Sequence, residues 1–431
     1  MFKQNASPKA APLAAWDGKI LTLRRQWSEW DRLLEERLDT LLPALMKREG
    51  IDLWIVLGSE YNEDPIFDTL TPASVLNASR SMILLFRLCR DGTVERAIIG
   101  PYGIEAGYER VSGFPQETQE ELLLRFVSES EPKTIGVNTS DLFPLADGLS
   151  HTAHGRLMKA LGPDYASRVR SAERLAVGWL ETRSATELIV YPEVVDLSRA
   201  ITRTAFSSLV ITPGVTTTDD VVWWMRQKVH ELGLKPAFPF TVTLDAREQP
   251  FDIHQRENVR SRILPGDTLR CDFGVTYLGL TTDIQESVYI LRRGEQNAPA
   301  GLQAAMAAAN RAQDIVAEVM VSGRTGNEML TAARERATEQ DLEACFFCHP
   351  IGTHVHGAGL TIGRWDSQQP LPGPGEWDLH ENTCYAIELY VRYAVPEWDG
   401  RKFMMLLEQD AAFVDGRFRW LSGRQTQFLV L

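Results

Sequence analysis

The chain has 431 residues, of which 44% are hydrophobic and 24% are charged, a balance typical of folded globular proteins rather than disordered ones. Its 58 acidic and 45 basic residues give a net charge of −13, which argues against nucleic acid or an anionic membrane as the main partner. The sequence has no apolar run of the ~20 residues that a membrane-spanning helix needs, and its five cysteines are too few for a disulfide scaffold. No signal-peptide core is visible near the N-terminus. We therefore expect a cytoplasmic protein of two domains.

The first part of the chain alternates helical and strand patterns. Apolar side chains at helical spacing predict a helix over 30–47, and continuous apolar runs predict strands over 51–57 and 82–88. The same criteria predict a strand over 96–99, a helix over 120–127 and a strand over 134–137. Helices that alternate with apolar strands indicate an α/β domain, which we assign to residues 1–175.

The remaining residues, 176–431, have a different pattern, in which helices precede a strand-rich end. The predicted elements are helices over 185–210, 219–232, 301–321 and 327–340, a β-hairpin over 269–291, and strands over 384–391, 403–407 and 411–414. This change of pattern favours a second domain.

Two aspartates, Asp272 and Asp283, lie within the predicted hairpin. Asp272 lies in an apolar strand between Cys271 and Phe273, and Asp283 follows eleven residues later. A carboxylate in such a strand is costly unless it is paired with another charge or bound to a metal. The hairpin would bring both carboxylates to one end.

Further metal-binding residue types follow downstream. Three of the eight histidines, His349, His354 and His356, fall within eight residues. Glu388 and Glu408 each lie inside an apolar strand. Divalent metals prefer carboxylate oxygens, and transition ions also accept imidazole. Together with the aspartates, these residues form a coherent set for two metal ions.

The segment from Asp272 to Asp283, DFGVTYLGLTTD, resembles the Asp-x-Gly-x-x-Tyr-x-Gly-Tyr-x-Ser-Asp motif of the M24 metallopeptidases. These are the creatinase/methionine aminopeptidase, or pita-bread, enzymes. HGAGL at 356–360, AIE at 386–388 and LEQD at 407–410 are similar to other motifs of the family. Xaa-Pro aminopeptidases, prolidases and creatinases of this family carry an additional N-terminal domain. The resemblance thus implies an α/β N-terminal domain followed by an α+β pita-bread (creatinase-like) catalytic domain.

The resemblance also implies a dinuclear centre of Mn²⁺, Co²⁺ or Zn²⁺ ions. Its expected ligands are Asp272, Asp283, His356, Glu388 and Glu408, with His354 as the alternative imidazole. A metal-bridging hydroxide would hydrolyse short peptides, with Xaa-Pro bonds as the expected target, and Glu388 would pass a proton to the leaving nitrogen. The further candidates are His254, His349 and His354 as catalytic imidazoles and Tyr277 as a substrate-binding residue.

Three positions depart from the family pattern, since Gly363, Leu389 and Leu406 stand where the family usually has His, Pro and Arg. Two other functions stay open. One is a non-peptide hydrolase or lyase on the same fold, and the other is a catalytically inactive binding module such as occurs in histone-chaperone subunits. The retained ligand set favours the peptidase. By resemblance we further expect a homodimer in which the N-terminal domain limits access to the active site.

Overall fold

The structure, a computed structural model, describes residues 12–104, 107–113, 115–248, 251–253 and 261–431. These residues form two compact units. One is Leu23–Thr186, and the other is Glu187–Leu431 together with residues 12–22. No helix within the described ranges is both long and apolar enough to cross a membrane.

The unit Leu23–Thr186 is an α/β domain built on a mixed sheet with the strand order β5-β4-β3-β1-β6-β7. Its strands are β1 (Leu53–Ser59), β2 (Asn62–Glu63), β3 (Ser81–Leu88), β4 (Val94–Ile99), β5 (Glu109–Arg110), β6 (Ile135–Val137) and β7 (Val169–Ser171). Its helices are α1 (Leu23–Glu36), α2 (Leu42–Glu49), α3 (Gln119–Ser130), α4 (His151–Ala166) and α5 (Glu173–Glu181). Apolar side chains of α3 and α4 pack on Leu53 and Ile55 of β1. The predicted α/β character of this domain is confirmed.

The second unit combines helices with largely antiparallel strands. Its helices are α6 (Ala185–Ala205), α7 (Thr218–Glu231), α8 (Ala300–Val319) and α9 (Gly326–Glu339). Its strands are β8 (Lys235–Pro236), β9 (Thr241–Asp245), β10 (Thr268–Phe273), β11 (Val275–Tyr277), β12 (Leu280–Thr281), β13 (Ile284–Tyr289), β14 (Ala344–Phe346), β15 (His349–Ile351), β16 (Thr383–Val395), β17 (Arg401–Val414), β18 (Arg417–Trp420) and β19 (Leu429–Val430).

The main sheet of this unit has the order β14-β16-β17-β13-β10-β9, with β15 paired to β16. Helix α8 packs on β16 and β17 and buries Leu302, Met306 and Ile315. Apolar residues of α6 and α7 form a core with β10 and β13. Helices packed on an antiparallel sheet make this unit an α+β domain, as predicted.

Several predicted elements have different limits in the structure, and the reason is clear for two of them. The helix predicted over 185–210 ends at Ala205, because the Ser207 hydroxyl donates to the Thr204 carbonyl at 2.7 Å and accepts from the Leu209 amide at 3.3 Å. The strands predicted over 403–407 and 411–414 are the single strand β17. The polar residues that interrupt its apolar pattern are themselves buried and hydrogen-bonded.

Candidate metal centre

Four neighbouring strands each contribute one polar residue to a single row across the sheet. In the strand registers, Asp272 of β10 pairs with Gln285 of β13, Gln285 pairs with Glu408 of β17, and Glu408 pairs with Glu388 of β16. Directly paired residues share a face of the sheet. Asp283 lies two residues before Gln285, so strand alternation directs it to the same side. The antiparallel pairing thus brings together four carboxylates that are far apart in sequence.

His349 is the imidazole that lies against these carboxylates. It is on β15, opposite Ala386 and therefore beside the strand segment that carries Glu388. Its Nε2 atom is 3.4 Å from Glu408 Oε1 and 3.6 Å from Asp283 Oδ2. The ring of His356 packs edge-on to that of His349 with 4.7 Å between ring centroids, and His356 is exposed.

Three groups of side chains within the described residues have ligand atoms that all lie within 4.8 Å of one another. They are Asp272, Asp283 and Glu408; His349, Glu388 and Glu408; and Asp283, His349 and His356. Asp283, Glu408 and His349 each belong to two groups, so these three side chains lie at the centre of the cluster.

The buried polar atoms of this cluster fit a bound cation. Asp283 Oδ1, Glu408 Oε1 and His349 Nε2 are buried and have no hydrogen-bond partner among the described residues. Asp283 is 4% exposed and Glu408 is 1% exposed. A buried, unpaired carboxylate is costly, and a divalent cation would supply the missing partner for all three atoms.

Burial and mutual repulsion change how the carboxyl groups titrate. Burial, followed by repulsion from Glu408, raises the pKa of Asp272 to about 7. The same two causes raise the pKa values of Asp283 and Glu388 well above their usual range. A bound divalent ion would act in the opposite direction, because positive charge favours the ionised carboxylates.

The three other residues predicted from the sequence are not among the ligand groups formed by the described residues. His354 is half-buried and belongs to none of the three groups formed by the described residues. His254 lies outside the described residues. Tyr277 is half-buried on β11, and its hydroxyl accepts a hydrogen bond from the Leu21 amide at 3.0 Å.

Two departures from the family pattern have a clear structural basis. Gly363 has a φ of 72°, and a Cβ atom there would lie 2.3 Å from the Phe346 carbonyl oxygen, so no imidazole can be supplied from this position. Leu406 packs in an apolar cluster with Phe347, Tyr390 and other residues. Sequence reasoning missed Gln285, because its proximity to the glutamates depends on the strand register.

Comparison with solved structures reveals the same fold in several proteins. An X-Pro aminopeptidase from Thermotoga maritima MSB8 has a TM-score of 0.62 at 18% identity, covering 89% of this chain and 99% of its own. The dipeptidase PepE from Mycobacterium ulcerans has a TM-score of 0.62 at 16% identity, covering 94% and 98%. The N-terminal domain of the FACT complex subunit SPT16 from Cicer arietinum (chickpea) has a TM-score of 0.59 at 10% identity, covering 94% and 99%.

At these identities the likeness establishes the fold, and the predicted α/β domain followed by a pita-bread catalytic domain is confirmed. A search of curated proteins found no significant match. The model of metallopeptidase family M24 matches residues 193–413, slightly more than half of the chain. That range contains all six carboxylate and imidazole residues of the three groups. The chain therefore belongs to metallopeptidase family M24, as the sequence motifs predicted.

Proposed function

We propose that this chain is a dinuclear metal-dependent aminopeptidase or dipeptidase that hydrolyses short peptides, with Xaa-Pro bonds as its preferred targets. The family depends on divalent metal ions and acts on peptides. The observation that carries the proposal is the cluster of three buried atoms, from Asp283, Glu408 and His349, that have no hydrogen-bond partner among the described residues. The X-Pro aminopeptidase and dipeptidase among the similar structures support the choice of substrate.

In this proposal the four carboxylates and His349 hold two ions. Asp283, Glu408 and His349 each belong to two of the three groups, so they would lie nearest to both ions. We assign the metal-binding imidazole to His349 in preference to His356, because its Nε2 is buried and 3.4 Å from Glu408 Oε1. His356 and His354 stay candidates for polarising the peptide carbonyl.

Divalent ions at this position would supply an acidic water and an electrophile for the scissile carbonyl. The protein itself would transfer a proton from the attacking water to the leaving nitrogen. Glu388, buried beside Glu408 and Asp272, is suited to accept the proton of the attacking water and deliver it to the leaving nitrogen.

The experiment is a comparison of initial rates on Ala-Pro and Ala-Pro-Ala with those on Ala-Ala and Ala-Ala-Ala. We expect the proline peptides to be cleaved fastest and an intact folded protein to resist cleavage. The matched variant Asp283→Asn has nearly the same shape without the charge, and it should abolish cleavage. Equal rates on both peptide sets would contradict the Xaa-Pro preference.

The likeness to the SPT16 domain makes a binding module the second candidate. Protein that binds no metal would favour that module, whereas protein that binds metal but cleaves none of these peptides would favour a non-peptide hydrolase or lyase. The retained carboxylates argue for catalysis, since a module without chemistry has no need for a buried cluster of acids.

A further inference from the structure

Gln285 lies in the middle of the carboxylate row and contacts two of its members. Its side-chain Nε2 donates to Glu388 Oε1 at 2.6 Å and to Glu408 Oε2 at 2.8 Å. The residue is 2% exposed, and it pairs across the sheet with Asp272 on one side and Glu408 on the other. A single amide group therefore holds one oxygen of each glutamate.

The orientation of this amide is set by Arg270. Arg270 Nη1 donates to Gln285 Oε1 at 3.0 Å. A guanidinium can only donate, so the oxygen of the amide must face Arg270 and its nitrogen must face the glutamates. Arg270 is itself 8% exposed, and its guanidinium lies 5.0 Å from the centroid of the Phe251 ring. Arg270 is thus buried and held in place.

This arrangement determines which glutamate oxygen is available to a cation. Because Oε2 of Glu408 accepts from Gln285, Oε1 is the oxygen that faces His349, at 3.4 Å from Nε2. Oε1 is also the atom without a hydrogen-bond partner among the described residues. If the amide were lost, Glu408 and Glu388 could rotate, and their repulsion would favour positions farther apart.

We propose that Arg270 and Gln285 form a positioning pair, in which Arg270 orients the Gln285 amide and the amide aligns Glu388 and Glu408 as metal ligands. The proposal rests on the proposed function, since it takes these glutamates as metal ligands. Hydrogen-bond partners of metal ligands fix the ligand geometry, and their loss typically weakens metal binding by about 10- to 100-fold. Both residues of the pair act through other side chains and need not touch the substrate.

The test is a calorimetric titration of metal-free protein with Co²⁺, together with the visible absorption spectrum of the Co²⁺ form. The variants are Gln285→Met, Arg270→Met and the double variant. Gln285→Met keeps the approximate volume and removes the hydrogen bonds, so we expect Co²⁺ affinity to fall by about 10- to 100-fold with an altered spectrum. Arg270→Met should also weaken binding, and the double variant should bind no more weakly than Gln285→Met alone.

Gln425→Met is the matched control. Gln425 is also a buried glutamine bonded to β13, accepting from the Ser287 amide at 2.8 Å and donating to its carbonyl at 2.7 Å. It is not hydrogen-bonded to the carboxylate row, so its variant should lose stability but keep the Co²⁺ affinity and spectrum. Thermal unfolding of the metal-free variants separates lost folding from lost positioning.

Wild-type affinity and spectrum in Gln285→Met would overturn the proposal. The double variant could instead lose Co²⁺ affinity by the product of the two single-variant losses. That result would show that Arg270 acts independently of Gln285, through its own charge, and would overturn its orienting role. If Gln285→Met does not fold, the unchanged spectrum and affinity of Arg270→Met would be the contradicting result. Wild-type protein that binds no Co²⁺ would contradict the metal site and the pair together. Protein that binds Co²⁺ as expected but cleaves no peptide would contradict only the proposed function.

Discussion

His349 and His356 lie side by side, but the Nε2 atom of His349 is buried 3.4 Å from Glu408 Oε1, whereas His356 is exposed. Loss of a metal ligand removes coordination, whereas loss of a group that polarises the substrate acts mainly on the transition state. We therefore expect His349→Ala to lower the metal content of the purified protein. His356→Ala should retain its metal and lose turnover by roughly 10²–10³-fold. Elemental analysis and initial rates of both variants are the measurements.

The reverse pattern, in which His356→Ala loses metal and His349→Ala keeps it, would restore the assignment made from the sequence motif. His354→Ala is the matched third variant, since His354 was the alternative ligand and belongs to none of the three groups of described residues. We expect its metal content to be that of the wild type.

The raised carboxyl pKa values predict how the stability of metal-free protein depends on pH. The carboxyl group of Asp272 has a folded-state pKa of about 7, whereas in an unfolded chain such groups titrate at about 4. Between these values the folded state holds more protons than the unfolded state, so the free energy of unfolding falls as pH rises. The melting temperature of metal-free protein should therefore fall from about pH 5 to about pH 7. Thermal unfolding at several pH values measures it.

Asp283→Asn provides the comparison, because an amide does not titrate and the slope of melting temperature against pH should become shallower. A melting temperature of the metal-free wild type that rises over the same interval would contradict the account of burial and repulsion.

The candidate carboxylates could be selected from the sequence, because an acidic residue inside an apolar run is recognisable from the local order of residues. Asp272, Glu388 and Glu408 are such cases. The choice among the histidines could not be made in this way, because it depends on whether the three-residue strand β15 pairs with β16. Such a short strand has no periodicity to identify it.

At the scale of elements, the connection between β10 and β13 requires the backbone at Gly274 to lie close to the backbone at Thr282. A Cβ atom at this position would lie 2.1 Å from the Thr282 carbonyl oxygen, and these two residues lie next to the segments that carry Asp272 and Asp283. Gly274→Ala should therefore separate the two aspartates, lower stability by about 1–3 kcal/mol and reduce metal content. Thermal unfolding and elemental analysis are the measurements.

Gly155→Ala is the control for this substitution. Gly155 lies in α4, and a Cβ atom there would meet nothing within 4 Å. Its variant should be as stable as the wild type or gain up to about 1 kcal/mol, since alanine is the better helix former. Equal stability and metal content of Gly274→Ala and wild type would show that the close approach is unimportant.

The long, regular elements were the most predictable. Continuous apolar runs indicated β1 and β3, and an alternating pattern indicated the hairpin of β10 and β13, all of which the structure contains. Helix α4 was not predicted, since Gly155, Gly162 and Pro163 weaken its helical pattern and Gly162 kinks it at a φ of 68°. Strand β17 was divided in the prediction, because the buried polar residues Glu408–Asp410 interrupt its apolar sequence.

For the whole molecule, the resemblance to Xaa-Pro aminopeptidases and prolidases leads us to expect a homodimer. Two tryptophans of the first domain differ in exposure, since Trp54 is fully buried whereas Trp27 on α1 is 39% exposed and lies one helical turn from the exposed Leu23. An exposed aromatic residue of this kind suits an interface. Light scattering on dilute protein should give twice the chain mass of 48.5 kDa. A single species at 48.5 kDa would contradict the dimer.

The most direct test of the account is to measure metal content and Ala-Pro hydrolysis on the same samples. Chelator-treated protein should contain no divalent metal and cleave no peptide, because the proposed mechanism gives the four carboxylates and His349 no catalytic power without bound ions. Addition of Mn²⁺, Co²⁺ or Zn²⁺ should restore cleavage as the content rises to two ions per chain. Full activity in the metal-free sample would contradict the central claim that this carboxylate and imidazole cluster is a catalytic metal centre.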